Sequence, residues 1–273
     1  MALCLRRAPA GSRMRIISWS SFADASFRTE RGSAASIGVF DGVHLGHMAL
    51  LDRIVSRKES LMPMVMTFST NPKASTRRDA YEGDILSLDQ KLEVFREVGV
   101  EIVVLIDFSE DFGKLGGKEF VGLLRDRGKL RYLAVGSDFR CGHRLDTGVR
   151  ELRSMNEAAG VETEIVEPVE AGGFPVSSSR IRALIAAGNL VEASALLGRN
   201  FEIDLAGSPR TPGTEWNFFD VRSTGRITPP DGRYPASLFD RSSSARTERV
   251  VELKDGSLGI PVAIVASRVE FLV

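Results

Sequence analysis

The sequence predicts an α/β chain, a parallel sheet with helices on both faces, followed by a small, mostly β, barrel-like region. Three observations carry this. Up to about residue 200, short apolar runs alternate with segments of helical spacing, and such alternation builds βαβ units with parallel pairing. Beyond Arg199 the texture becomes β-like, punctuated by turns. Between the first clear strand and the first clear helix lies Phe40-Asp41-Gly42-Val43-His44-Leu45-Gly46-His47, a strand-to-helix turn rich in glycine and histidine.

In chain order, the apolar run Ala34–Phe40 reads as a buried strand and Met48–Val55 as a helix. Leu61–Phe68 (strand), Leu88–Val98 (helix), Ile102–Ile106 (strand), Lys118–Arg127 (helix), Tyr132–Val135 (strand), Val149–Ala159 (helix) and Val161–Pro168 (strand) follow. Two short helices, Arg180–Ala187 and Leu190–Leu197, each have a glycine past the end, Gly188 and Gly198, the expected stop signal. Turns at Pro229–Gly232 and Lys254–Gly256 separate the later β runs, which end in Ile260–Ala266 and Val269–Val273. The serine- and arginine-rich Arg241–Arg249 reads as an exposed loop. The boundaries are thus an extension over residues 1–13, a first domain over 14–200 and a second over 201–273, with Met14 an alternative start.

Composition narrows the function. Lysine plus arginine and aspartate plus glutamate stand at 36 each, a net charge of zero that argues against a general nucleic-acid or anionic-membrane binder. Two cysteines, Cys4 and Cys141, make no disulfide framework, which fits a reducing compartment. No apolar run reaches transmembrane length and the start is too weakly apolar for a signal peptide, so a cytoplasmic protein is expected.

Three motifs carry chemistry. His44 and His47, three residues apart, share one face of a first helical turn, where free N–H groups and the helix dipole favour an anion. Gly42 and Gly46 remove side chains where a ligand approaches the backbone. Far along the chain, Val176-Ser177-Ser178-Ser179-Arg180-Ile181-Arg182 opens a helix with serine caps and two arginines. Cations at a helix N-terminus oppose the dipole and call for an anion, which a triphosphate supplies. The third motif, Val135-Gly136-Ser137-Asp138-Phe139-Arg140-Cys141-Gly142-His143, comes at the end of a predicted strand, where ligands of doubly wound sheets bind. Asp138 there reads either as a ligand contact or as a turn-forming aspartate.

The ordered set resembles the bacterial bifunctional riboflavin kinase/FAD synthetase family, specifically its FMN adenylyltransferase module, over roughly residues 14–200. The likeness runs through Gly38–His47, Thr67-Phe68…Pro72, Phe112…Phe120-Val121…Leu124, Gly136–Arg140, Ser177–Arg182 and Leu196–Arg199. It implies a Rossmann-like nucleotidyltransferase fold in which FMN attacks the α-phosphate of ATP to give FAD and pyrophosphate, with Mg2+ as the usual cofactor. By the same resemblance His44, His47, Ser178 and Arg182 are the expected catalytic residues. Gly38, Phe40, Asp41, Gly42, Gly46, Phe68, Asp138, Ser177 and Arg180 are expected to contact nucleotide or flavin, and no protein metal site is expected.

Two departures qualify it. Thr67-Phe68-Ser69-Thr70-Asn71-Pro72 lacks the acidic residue usual after the phenylalanine, next to the expected flavin site. In Phe201–Arg226 the only glycines are Gly207, Gly213 and Gly225, and the Pro-Thr-Ala-Asn signature of the kinase module is missing, so riboflavin phosphorylation is expected to be absent. Rival readings are a nucleotidyltransferase with another phosphate acceptor, a non-catalytic nucleotide binder, and a zinc site from His44, His47, Cys141 and His143, whose spacings suit zinc poorly. Phe108, Phe112 and Phe120 read as packing residues, and Trp216, Phe218 and Phe219 as barrel core.

Overall fold

A computed structural model describes residues 14–24, 27, 29, 31–76, 81–107 and 110–273. The expected extension over 1–13, Cys4 and Phe108 lie outside them. The chain forms two compact units: one takes in the chain up to Phe40, Gly46–Pro72 and Leu92–Val169, and the other Asp41–Leu45, Lys73–Lys91 and Glu170–Val273.

The first unit is built on six parallel strands: β1 (Arg15–Ser18), β2 (Ser33–Ile37), β3 (Met62–Phe68), β4 (Ile102–Ile106), β5 (Leu130–Gly136) and β6 (Glu162–Val166), in the order β1-β4-β3-β2-β5-β6. β2 is buried at all five positions and β3 at its five central ones, as continuous apolar runs covered on both faces require. The crossovers hold the helices α1 (Trp19–Ala23), α2 (Leu45–Val55), α3 (Leu88–Val98), α4 (Gly117–Gly128) and α5 (Val149–Glu157). One core cluster joins Phe22, Met64, Met66, Ile102, Val104, Leu124, Leu133 and Leu152, each such side chain contributing about 1.5–3 kcal/mol on burial. The order reverses between β2 and β5, so the loops after Ile37 and Gly136 flank the switch point where doubly wound sheets take ligands.

Most predicted elements stand within three residues of expectation. The start of α3 has a physical reason: Ser87 Oγ accepts the Gln90 N–H at 3.0 Å and Gln90 Oε1 accepts the Ser87 N–H at 2.8 Å, a reciprocal capping box. β1 is an addition, since the four residues Arg15–Ser18 neither alternate nor run long enough to be read as a strand.

The second unit opens with α6 (Ser178–Ala186) and α7 (Leu190–Leu197). Seven strands follow: β7 (Glu202–Asp204), β8 (Arg210–Thr211), β9 (Trp216–Asp220), β10 (Gly232–Asp240), β11 (Ala245–Lys254), β12 (Ser257–Pro261) and β13 (Arg268–Phe271). They form an antiparallel, open half-barrel in the order β7-β13-β10-β11-β12-β9-β8.

Three expectations need correction here. The segment Arg241–Arg249 is a turn only at its start: β11 runs from Ala245 and pairs with β10 from Asp240 opposite Ala245 to Gly232 opposite Leu253. Asp240 accepts hydrogen bonds from the Ser242 and Ser243 hydroxyls, and that tightens the hairpin. Strand β12 ends at Pro261 instead of running from Ile260 to Ala266, since proline removes the ladder donor. In β9 the buried residue is Asn217, bonded by Arg210 Nη2 at 3.0 Å, while Trp216, Phe218 and Phe219 are half-buried. The core is instead Phe201 stacked on Phe271 at 5.5 Å, with Ile203, Val251, Leu253 and Val269.

Candidate functional site

The histidine turn is strained. Phe40 (φ 53°), Gly42 (φ 81°) and Val43 (φ 35°) all have positive φ, which costs of order 1–3 kcal/mol at each non-glycine position. Packing and hydrogen bonds hold it. Phe40 is fully buried, edge-on to Phe95 at 5.5 Å and tilted against His47 at 5.1 Å. The Arg199 guanidinium donates to the carbonyls of Gly42 at 2.6 Å and Val43 at 3.1 Å. The glycines serve the protein itself here: a Cβ on Gly42 would meet Ile85 at 3.1 Å and Leu197 at 3.4 Å, and one on Gly38 would meet the Phe40 ring at 3.2 Å. α2 starts at Leu45, earlier than expected, so His47 and Gly46 lie in its first turn and His44 directly precedes it.

The serine- and arginine-led helix meets this turn within the second unit. Ser177 caps α6, its hydroxyl accepting the Arg180 N–H at 3.2 Å. Ser178 Oγ donates to the Asp41 carbonyl at 2.8 Å. Arg182 is buried and ion-paired with the Asp41 carboxylate, and its Nε donates to the Gly83 carbonyl at 2.8 Å. The other Asp41 oxygen accepts the Ile85 N–H at 2.9 Å. Arg180 turns elsewhere: it pairs with Glu192 of α7 at 2.7 Å and donates to the Ala171 carbonyl at 2.8 Å. The anions that offset the two arginines at this helix start are therefore Asp41 and Glu192.

Burial sets the charges. Asp41 is pushed up to about 6 by desolvation, against the pull of Arg182. His44 is pushed down to about 4 by burial and by the nearby Arg199 cation, so at neutral pH it is a neutral imidazole able to donate and accept. Lys91, also buried, is lowered to about 8 although Asp41 and Asp84 pull the other way. Tyr81 donates its hydroxyl to Asp84, and the Arg182 guanidinium lies 5.4 Å from the Tyr81 ring centre.

The first unit contains a separate cavity of about 470 Å3 at the carboxyl ends of β2–β5. Phe68, Phe112, Phe120, Asp138 and Phe139 line it, so the expected flavin contacts Phe68 and Asp138 share one largely apolar space. Its size suits a small-molecule site. Phe112 and Phe120 pack on the core, as expected, and also face this space. The third motif is pinned around it: Arg140 donates twice to the Leu145 carbonyl at 2.8 and 3.0 Å, and Asp146 accepts the Gly117 N–H at 3.1 Å. Burial raises the Cys141 thiol to about 11, so at neutral pH it is protonated.

Sequence reasoning missed Arg199, Lys91, Tyr81 and Asp84. Arg199 had a signal, since it closes the last matching motif. Tyr81 and Asp84 sit in a segment with no pattern, and Lys91 lies on the predicted helix Leu88–Val98 with nothing in the spacing to set it apart. Among the described residues no three His, Cys, Asp or Glu side chains converge as a metal site, and no helix is long and apolar enough to cross a membrane.

The bifunctional riboflavin kinase/FMN adenylyltransferase of Escherichia coli K12 is 33% identical over 177 residues, 64% of this chain and 56% of that one. The chain thus spans about half the length of these bifunctional relatives. The FAD synthetase of Listeria monocytogenes is 28% identical over 178 residues, 64% of this chain and 72% of the relative. A solved structure from Streptococcus pneumoniae, described as a macrolide-efflux protein, superposes with a TM-score of 0.78 at 22% identity, covering 95% of this chain and 89% of that one. At that identity it speaks for the fold alone, through both units. The FAD synthetase family model matches residues 26–180, more than half of the chain, and the protein belongs to the FAD synthetase family.

Proposed function

We propose that the protein is an FMN adenylyltransferase: an oxygen of the FMN phosphate attacks the α-phosphorus of ATP, the bond to the β-bridging oxygen breaks, and FAD and pyrophosphate leave. The observation that carries this is the Arg182–Asp41–Ser178 contact, which makes one constellation of two motifs 137 and 141 residues apart. The FMN phosphate is already ionised, so the reaction needs no strong base, and catalysis is mostly positioning and charge neutralisation.

The residues divide the work. His44 and His47 donate hydrogen bonds to triphosphate oxygens. Ser178 and Arg182 hold the departing β- and γ-phosphates once the triphosphate competes with Asp41 for the guanidinium. Ser177 caps the helix, and Arg180, committed to Glu192, stays outside. Asp138 and Phe68 contact the flavin in the apolar cavity. The donor set suits a phosphate-borne magnesium ion, since phosphate oxygens and water would supply most of its ligands; when bound, Mg2+ offsets charge on the phosphates. Residues 14–200 carry this chemistry and 201–273 form the β domain, in which the kinase signature is lost and riboflavin is not phosphorylated.

The test is chromatographic separation of flavins after incubation with ATP, Mg2+ and either riboflavin or FMN. The expected result is FAD with pyrophosphate from FMN and no product from riboflavin. FMN left unconverted would remove the activity, and FMN formed from riboflavin would show a kinase site in altered form.

A further inference from the structure

The segment Gly83–Lys91 is absent from every motif, yet it touches the phosphate constellation on one side and the β domain on the other, all within the second unit. Toward the constellation, the Gly83 carbonyl accepts Arg182 Nε at 2.8 Å and the Ile85 N–H reaches Asp41 at 2.9 Å. Toward the β domain, Asp84 makes an isolated parallel bridge to Arg226: its N–H donates to the Gly225 carbonyl at 2.8 Å, and its carbonyl accepts the Ile227 N–H at 3.1 Å. The Asp84 carboxylate lies 3.8 Å from the Arg226 guanidinium. Farther along, the buried Ser87 hydroxyl donates to Asp204 at 3.0 Å. The fit at Gly83 leaves no room: with φ at 112°, an added Cβ would stand 2.7 Å from the Ile227 nitrogen and 2.8 Å from the Arg226 carbonyl carbon.

We infer that the β domain works as a fixed arm for the transfer site, with residues 225–227 holding the strap Gly83–Ile85 and the strap setting Arg182 and Asp41 in place. Gly83, Asp84 and Arg226 are positioning residues; none touches substrate. A domain without the kinase signature thereby keeps a role, since orienting a buried guanidinium requires its partners to be rigid. The inference rests on the reading of Arg182 as a phosphate ligand.

The test uses the full chain. Gly83→Ala must part the strap from Ile227, a displacement of order 1 Å that costs roughly 10²-fold when it reaches a catalytic group. The expected result is that kcat/KM for ATP falls by about that factor, while KM for FMN stays within about twofold, and the Asp84 and Ile227 amides exchange faster with solvent. Arg226→Ala moves ATP kinetics the same way by about threefold, as the loss of one partly buried ion pair would, and Arg226→Lys restores them. Wild-type ATP kinetics in a Gly83→Ala protein whose amides have lost protection would overturn the inference. If that variant does not fold, Arg226→Ala decides: unchanged ATP kinetics, or an equal loss toward ATP and FMN, would overturn it. A wild type that binds ATP calorimetrically but makes no FAD, with binding weakened by Gly83→Ala, would leave the arm standing and remove the adenylyl transfer.

Discussion

The histidine turn and the phenylalanine-lined cavity are built by opposite means. The turn spends conformational strain and buried charge: positive φ at Phe40 and Val43, a desolvated Asp41, a neutral His44 and arginines bound to backbone carbonyls. The cavity is largely apolar, with aromatic rings packed on the sheet, one carboxylate, Asp138, and two arginines, Arg140 and Arg144; its positive φ values, at Gly142, Arg144 and Leu145, lie in one lining loop. A site for a polyanion needs donors that cannot retreat into water, and buried ion pairs fix them at a cost in stability. A site for a flat aromatic ring needs area and shape. Changes in the turn should therefore couple stability to ATP, and changes in the cavity should touch FMN alone.

The largest effect is expected at Arg182. Arg182→Ala strands the Asp41 carboxylate in a buried position and should cost about 3–5 kcal/mol in a denaturant titration. The double variant Asp41→Asn/Arg182→Ala should recover part of that loss. Equal stability of single and double variants would mean that the pair is not coupled. Next comes His47→Ala, which should lower turnover roughly 10²-fold or more, the scale for losing one transition-state donor; unchanged FAD formation would take the histidine out of the mechanism.

A pH titration sharpens the contrast further. The His44 value is about 4, below its ordinary 6.5, so its burial costs stability as pH falls through the window from 6.5 to 4, where the unfolded chain binds the extra proton. Asp41, raised to about 6 from 3.8, has the opposite sign: its contribution is full below 3.8 and is lost as pH rises through 6. His44→Gln should accordingly gain on the wild type as the buffer is acidified from pH 7 to 5, measured as thermal midpoint, and a constant difference would contradict a neutral buried His44. The smallest effect belongs to the cavity. Asp138→Asn should raise KM for FMN by about three- to tenfold, the worth of one hydrogen bond, and leave ATP kinetics alone.

Much of the scaffold was legible because it rests on local physics. The box Ser87…Gln90 starts α3, and Gly188 (φ 77°) and Gly198 (φ 73°) stop α6 and α7 as read. The apolar runs of β3 and β4 announce strands buried on both faces. The β domain was legible only in outline. Arg246, Glu248 and Arg249 of β11 lie on a solvated strand, where composition resembles a loop. Within the site, residue identities were readable and partners were not. That Arg182 meets Asp41 and Arg180 meets Glu192 depends on long-range packing, and nothing in the spacing tells the two arginines apart.

The central claim is adenylyl transfer from ATP to FMN, and labelled ATP tests it most directly. With 32P in the α-phosphate the label should appear in a flavin that co-migrates with FAD; with 32P in the γ-phosphate it should appear only in pyrophosphate. No label in flavin from either form, or γ-label in flavin, would contradict the account.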